Sequence, residues 1–74
     1  MNQELLKLYL SLPRQEREKR FANTTRVAEL TGSSRRTIQF WVQIGVVDAV
    51  LIGKKYEVDL NSLTAYLSSR GEPD

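Results

Sequence analysis

The sequence predicts a mainly α-helical domain with one small β-hairpin, organised around a helix-turn-helix. Three observations predict it. Residues 23–31 and 34–44 carry two short amphipathic patterns separated by a turn containing Gly32, the arrangement of paired helices joined by three or four residues. A β-branched run, VVDAVLI, is followed by Gly53-Lys54-Lys55 and then Tyr56-Glu57-Val58, which reads as two strands about a tight turn. The chain is 74 residues long, and that is one domain.

The elements follow in order. Residues 2–12 form a helix whose first turn Asn2 can cap. At about 100° per residue, Leu5, Leu8, Tyr9 and Leu12 make one stripe and Leu6 and Leu10 an adjacent one, opposite Glu4, Lys7 and Ser11. The apolar arc exceeds half the circumference. Either this helix is buried deeply in its own domain, or it has two partners, one of them another protomer. Pro13 suits the first position of a second helix. PRQEREKRF is then a short charged surface helix or linker, anchored by Phe21, in which Glu16 and Arg20 are spaced to pair. Asn23, Thr24 or Thr25 caps a helix carrying Val27, Ala28 and Leu30, which Gly32 breaks. Ser33 or Ser34 caps the next helix, RRTIQFWVQI, which Gly45 ends. There Ile38, Trp41 and Val42 face the core, while Arg36, Gln39, Phe40 and Gln43 point away, with Arg35 at the flank. The hairpin places Lys54 and Lys55 at its tip and Tyr56 in the core. Asp59 caps a last helix bearing Leu60, Leu63, Tyr66 and Leu67, stopped by Gly71. The expected organisation is an N-terminal helical extension for docking or self-association at 1–22, the main domain at 23–70 and a disordered tail at 71–74.

Composition removes several functions. There is no Cys and no His, so disulfides, thiolate chemistry, Cys-ligated metal sites and any His-based catalytic triad are excluded. Asp48, Glu57 and Asp59 are spread over strand ends and a cap, without spacing for acid–base work or metal binding. An enzyme is therefore not expected, nor a cofactor, a metal or a small-molecule substrate. Charges interrupt every apolar run, so no membrane span or signal peptide is expected, and a cytoplasmic protein is. A chain this short buries roughly 60–65% of its unfolded surface, and extra stability must come from tight packing or a second copy.

Lys plus Arg total 11 against 9 Asp plus Glu, a net charge of +2. The distribution is uneven. Residues 14–36 hold seven basic side chains and three acidic ones, which implies one electropositive face. The helix after Ser34 is the sharpest feature. Arg can bond guanine O6 and N7 together, and Gln can bond adenine N6 and N7, so Arg35, Arg36, Gln39 and Gln43 on one exposed face suit a DNA major groove. Lys54 and Lys55 suit phosphates, because a flexible ammonium needs no fixed geometry. Phe40 needs a partner: a thymine methyl, the 1–22 segment or a neighbouring protein. Trp41 is the core anchor of its helix.

ELTGSSRRTIQFWVQIG, followed by AVLIGKKYEV and DLNSLTAYL, resembles the MerR-like winged helix-turn-helix of excisionase-family proteins, a fold also found in the DNA-binding domains of phage terminase small subunits. The resemblance runs from about Thr24 to Leu67. It rests on Ala28 in the first helix, the Ser-Arg-Arg-Thr-Ile opening, the Trp, the helix-ending Gly and the Gly-basic-basic-Tyr wing. It implies that the second helix of the pair enters the major groove while the hairpin wing lies along the adjacent minor groove or backbone. By position, Ser34, Arg35, Arg36, Gln39 and Gln43 would meet bases or phosphates, Lys54 and Lys55 the backbone, and Thr24 or Thr25 a further phosphate. Phe40, Leu51 and Glu57 stand where family members often carry basic side chains, Ser33 where an apolar turn residue is common, and Arg26 where an acid is frequent. With fewer phosphate contacts, monomeric affinity falls with salt, so a dimer or cooperative oligomer is expected.

The sequence thus leads to sequence-preferring binding of double-stranded DNA by an excisionase-type or transcriptional regulator, in DNA recombination or transcription regulation. The alternative is that the module serves protein–protein interaction or polymerisation, with Leu5, Leu6, Leu8, Tyr9, Leu12 and Phe40 as the contact surface and little or no DNA binding.

Overall fold

Three antiparallel strands run through the middle of the molecule, and helices cover both of their faces. The computed structural model describes residues 3–70. In chain order the elements are α1 (Gln3–Ser11), α2 (Arg14–Arg20), β1 (Phe21–Asn23), α3 (Thr24–Thr31), α4 (Arg35–Gln43), β2 (Ala49–Ile52), β3 (Lys55–Asp59) and α5 (Leu60–Ser69). The expected cap at Asn2, the stop at Gly71 and the tail at 71–74 lie outside the described residues. No described helix is long and apolar enough to cross a membrane.

The sheet order is β1-β3-β2. Ala22 and Ala49 both pair with Val58, Leu51 pairs with Tyr56 and Phe21 with Asp59. Side chains alternate along a strand, so Ala22, Ala49, Leu51, Tyr56 and Val58 share one face. Phe21, Val50, Ile52, Glu57 and Asp59 share the other, while Lys55, in register with them, stands at the hairpin end and borders a cleft formed with α3 and α4. On the first face, Ala22, Ala49 and Val58 form the main core with Val27 and Ala28 of α3, Ile38 and Trp41 of α4, Val47, and Leu63 of α5. On the second face, Phe21 and Val50 close with Leu5 of α1. Each fully buried Val, Leu, Ile or Phe among these contributes about 1.5–3 kcal/mol.

This second cluster decides what the wide arc of α1 meets. Leu5 is buried, and Leu6, Leu8, Tyr9 and Leu12 pack half-buried around Phe21 and Val50. The Tyr9 ring stands edge-on to Phe21 at 5.0 Å. These five residues, expected as a contact surface for another protein, are thus occupied by the chain's own sheet. Leu10 alone of the arc stays largely in solvent, at 63% exposure.

Pro13 stands one position earlier than expected, at the N-cap of α2 with extended backbone. The turn between α1 and α2 is held by Arg17, which donates from Nε to the Tyr9 carbonyl at 3.0 Å and from Nη2 to the Leu12 carbonyl at 3.1 Å. Carbonyls at a helix C-terminus lack intrahelical donors, and a guanidinium supplies them. The same guanidinium lies 4.7 Å from the centre of the Tyr9 ring.

Two expectations here need correction. Arg20 does not pair with Glu16. It donates to both carboxylate oxygens of Asp59, at 2.8 and 3.3 Å, while the i,i+4 pair on α2 is the exposed Arg14–Glu18 contact. Asp59 is buried, and a buried carboxylate needs a charged donor more than an exposed glutamate does. The boundary expected between residues 22 and 23 also falls inside β1. That strand pairs with β3 and puts Phe21 and Ala22 on opposite faces of the sheet.

The remaining elements form where local chemistry directs. Asn23 caps α3, accepting the Arg26 N–H at 2.9 Å. Gly32 ends it with φ of 72°, a left-handed conformation that costs a side-chain-bearing residue energy, while Ser33 N–H returns to the Ala28 carbonyl. Ser34 caps α4 through the Thr37 N–H at 3.1 Å. Past α4, the N–H groups of Val46 and Val47 both return to the Trp41 carbonyl. In the hairpin Ile52 pairs with Lys55, so the two loop residues are Gly53 and Lys54, and Lys55 is the first residue of β3 rather than part of the tip. Gly53 has φ of 63° at the first central position, where the two-residue turns that match strand twist favour glycine. Asp59 caps α5 by accepting the Asn61 N–H at 3.0 Å, and the Asp48 N–H donates to Ser62 Oγ.

Candidate nucleic-acid interface

The start of α3, the edge of α4 nearest the hairpin, and the hairpin end converge on one cleft of about 350 Å³. Thr24 and Thr25 come from the first turn of α3, Arg35 and Gln39 from successive turns of α4, and Lys54 and Lys55 from the hairpin. Asn23 and Tyr56, which the sequence did not single out as contacts, complete the lining. Among the described residues no carboxylate lines it. Arg35, Lys54 and Lys55 are exposed, and among the described residues none of them makes a salt bridge. Thr24 is buried and Thr25 exposed, so Thr25 carries the accessible hydroxyl at this helix start.

The α4 helix explains the grouping. With about 100° between residues, Ile38 and Trp41 point to the core, and both are buried. Arg35, Gln39 and Gln43 then run along the edge facing the hairpin. Gln43 lines an adjoining hollow of about 400 Å³ together with Val42, Val47 and Tyr56, so Tyr56 separates the two depressions. Arg36 lines neither and stands exposed on the outward crest of the helix. On the far side of that crest come Phe40 and Ile44, 54% and 52% exposed. Ser34 fills the cap expected at this position. Its hydroxyl accepts the Thr37 N–H and shares a 3.0 Å hydrogen bond with the Thr37 hydroxyl, so it orients the helix start.

Phe40 belongs to neither core cluster, and α1 lies across the opposite face of the sheet. Trp41 is the anchor the sequence implied. It is buried, and its indole meets the Tyr66 ring edge-on at 5.2 Å. The Arg70 guanidinium lies 5.6 Å from the centre of each ring.

Electrostatics set the two faces of the hairpin apart. Glu57 is half-buried on the sheet face that α1 covers, and burial raises its carboxyl above the ordinary range, with the nearby Lys55 charge partly offsetting this. Arg20 is held protonated still more firmly than an ordinary guanidinium by its hydrogen bond to Asp59, against a smaller opposing effect of burial. Neither carboxylate lines the cleft. Among the described residues, no three His, Cys, Asp or Glu side chains are grouped to hold a metal ion.

The arrangement can bind an anion in the cleft while presenting an Arg- and Gln-bearing crest beside it. Comparison of the chain with protein-family models, with curated proteins and with solved structures finds no match.

Proposed function

We propose that the chain is a sequence-preferring double-stranded DNA-binding module, a MerR-like winged helix-turn-helix in which α3 and α4 are the paired helices and the β2–β3 hairpin is the wing. The observation that carries this reading is the cleft: three cations from two separate elements, the hydroxyls of Thr24, Thr25 and Tyr56, and, among the described residues, no lining carboxylate. A helix with its side chains is about 10–12 Å across, which matches a major groove about 12 Å wide, and α4 is about 13.5 Å long at 1.5 Å per residue. With α4 in the groove, successive backbone phosphates at the groove edge sit along the line between α4 and the wing. Arg35, Lys54 and Lys55 each meet one of them, with Thr25 beside them, and Arg36, Gln39 and Gln43 face base edges. Phosphate contacts fix position and base contacts select sequence. A role in recombination or in transcription regulation, in the cytoplasm, is the cellular setting that fits.

A fluorescence-anisotropy titration against random duplex tests it. Micromolar binding is expected at low salt, and the three cleft cations alone contribute a slope of about −2.7 in log K against log salt. Absence of binding at low salt overturns the reading. That result would favour the second reading, a protein-contact or polymerisation module, for which the exposure of Leu10, Ile44 and Leu51 speaks. In the DNA reading the same residues serve a homodimer or cooperative array, with half-sites of a two-fold dimer spaced about 34 Å or a multiple of it.

A further inference from the structure

We infer that Phe40 is a base-reading residue that recognises the C5-methyl group of thymine in the major groove. The inference rests on the DNA reading above and extends it to a residue that the interface otherwise leaves unexplained. Phe40 sits on the outer surface of α4, within about 60° of both Arg36 and Gln43 on the helical wheel. It is 54% exposed, and its own N-terminal helix lies on the far side of the sheet. A benzyl side chain beside the crest of a groove-binding helix lies within reach of base edges.

The floor of the major groove offers donors and acceptors, and one apolar group, the thymine methyl. Arg36 and Gln43 flank Phe40 with the two side chains suited to guanine and adenine. The Cα of Phe40 lies about 6 Å along the helix from that of Arg36, less than two base-pair steps of about 3.4 Å. The selected thymine therefore falls within about two steps of the base that Arg36 contacts. The preference is also for DNA over a uracil-containing duplex of the same sequence, since the methyl group alone separates the two bases.

The test begins by selecting preferred duplexes from a random-sequence pool with the whole chain. Each thymine of the selected site is then replaced singly by uracil, which removes only the methyl. Wild type, Phe40→Ala and Phe40→Leu are titrated on each duplex, and circular dichroism checks that both variants remain folded, as an exposed position allows. Wild type is expected to lose three- to fivefold in affinity at one or two thymines, the scale of one apolar carbon leaving a contact. Phe40→Ala should bind thymine and uracil duplexes alike, and Phe40→Leu should retain part of the discrimination. If wild type tolerates uracil everywhere while Arg36→Ala still weakens binding, the methyl assignment is overturned and the DNA reading stands. If the uracil penalty persists in Phe40→Ala, or that variant instead loses self-association in sedimentation, Phe40 does not read the base. If no duplex is bound in a salt-sensitive way, both readings fall.

Discussion

On the α1 face of the sheet the arginines of α2 are engaged within the fold, while Lys7 and Lys19 stand exposed. Arg14 meets Glu18, Arg17 meets the Tyr9 and Leu12 carbonyls, and Arg20 meets Asp59. On the α4 face, Arg35, Arg36, Lys54 and Lys55 make no hydrogen bond through their side chains and no salt bridge among the described residues. The two groups look alike in composition, and residues 14–36 even merge them into one basic stretch. Their structural contexts separate them. The first group closes turns and neutralises a buried carboxylate, so it belongs to stability. The second is left with its hydrogen-bonding capacity unused and its charges clustered, the condition under which an external anion supplies the partner.

The largest expected effect tests the first half of that contrast. Phe21 is 3% exposed and links α1 to the sheet through Tyr9, Leu5 and Val50. Phe21→Ala should cost about 3–5 kcal/mol in a urea unfolding titration, a large part of the stability of a domain this small. A loss below about 1 kcal/mol would mean that the α1 layer is not integral to the fold, and the contrast between the faces would dissolve.

The α4 face should respond in the opposite manner. Arg36→Ala is expected to weaken specific DNA binding by about 1–3 kcal/mol while shifting the unfolding midpoint by no more than about 0.5 kcal/mol of stability. An unchanged titration would remove α4 as the reading element. Lys54→Ala and Lys55→Ala have smaller, sequence-independent effects. Each should lower the salt slope by about one and weaken all duplexes alike. A sequence-dependent change would move that lysine from the backbone to a base.

Much of the α4 face is legible in the sequence because its signals are local. Ser34 and Gly32 bound the helix, the Ile38–Trp41 spacing orients it, and Gly53 turns the hairpin. Knowing which side is core already identifies Arg36, Gln39 and Gln43 as outward residues. The α1 face is less legible because its partners are distant in sequence. β1 is three residues long, too short to display an alternating pattern, and its strand partner begins more than thirty residues later. Arg20 has a plausible local partner in Glu16, yet it selects Asp59, 39 positions away. The width of the apolar arc on residues 5–12 implies a large contact, but not that a third strand would supply the second sheet face to receive it. Within the cleft, Asn23 and Tyr56 read from the sequence as a cap and a core residue for the same reason: only tertiary folding brings them beside Arg35.

Glu57 is where the two faces meet, and it carries the smallest effect. Its register on β3 places it on the α1 face, bordering hollows lined also by Arg14, Arg17, Glu18 and Arg26, while Lys55, two residues earlier, reaches the cleft. Burial raises its carboxyl in the folded chain, and Lys55 pulls it back in part. A raised folded pKa means that the fold favours the protonated form. Stability from this group is therefore full below the ordinary carboxylate range, is lost as pH rises to the raised value, and stays lost at neutral pH. Glu57→Gln should accordingly stabilise the domain at neutral pH by at most about 0.5 kcal/mol, since the group is partly solvated and screened. The gain should vanish in acid below the ordinary carboxylate range. Urea midpoints of both chains on either side of that window measure it. An equal difference at both pH values would assign the effect to packing. A gain confined to neutral pH, joined by a modest rise in DNA affinity as Lys55 loses its acidic neighbour, would show the charge balance of one face reaching the other.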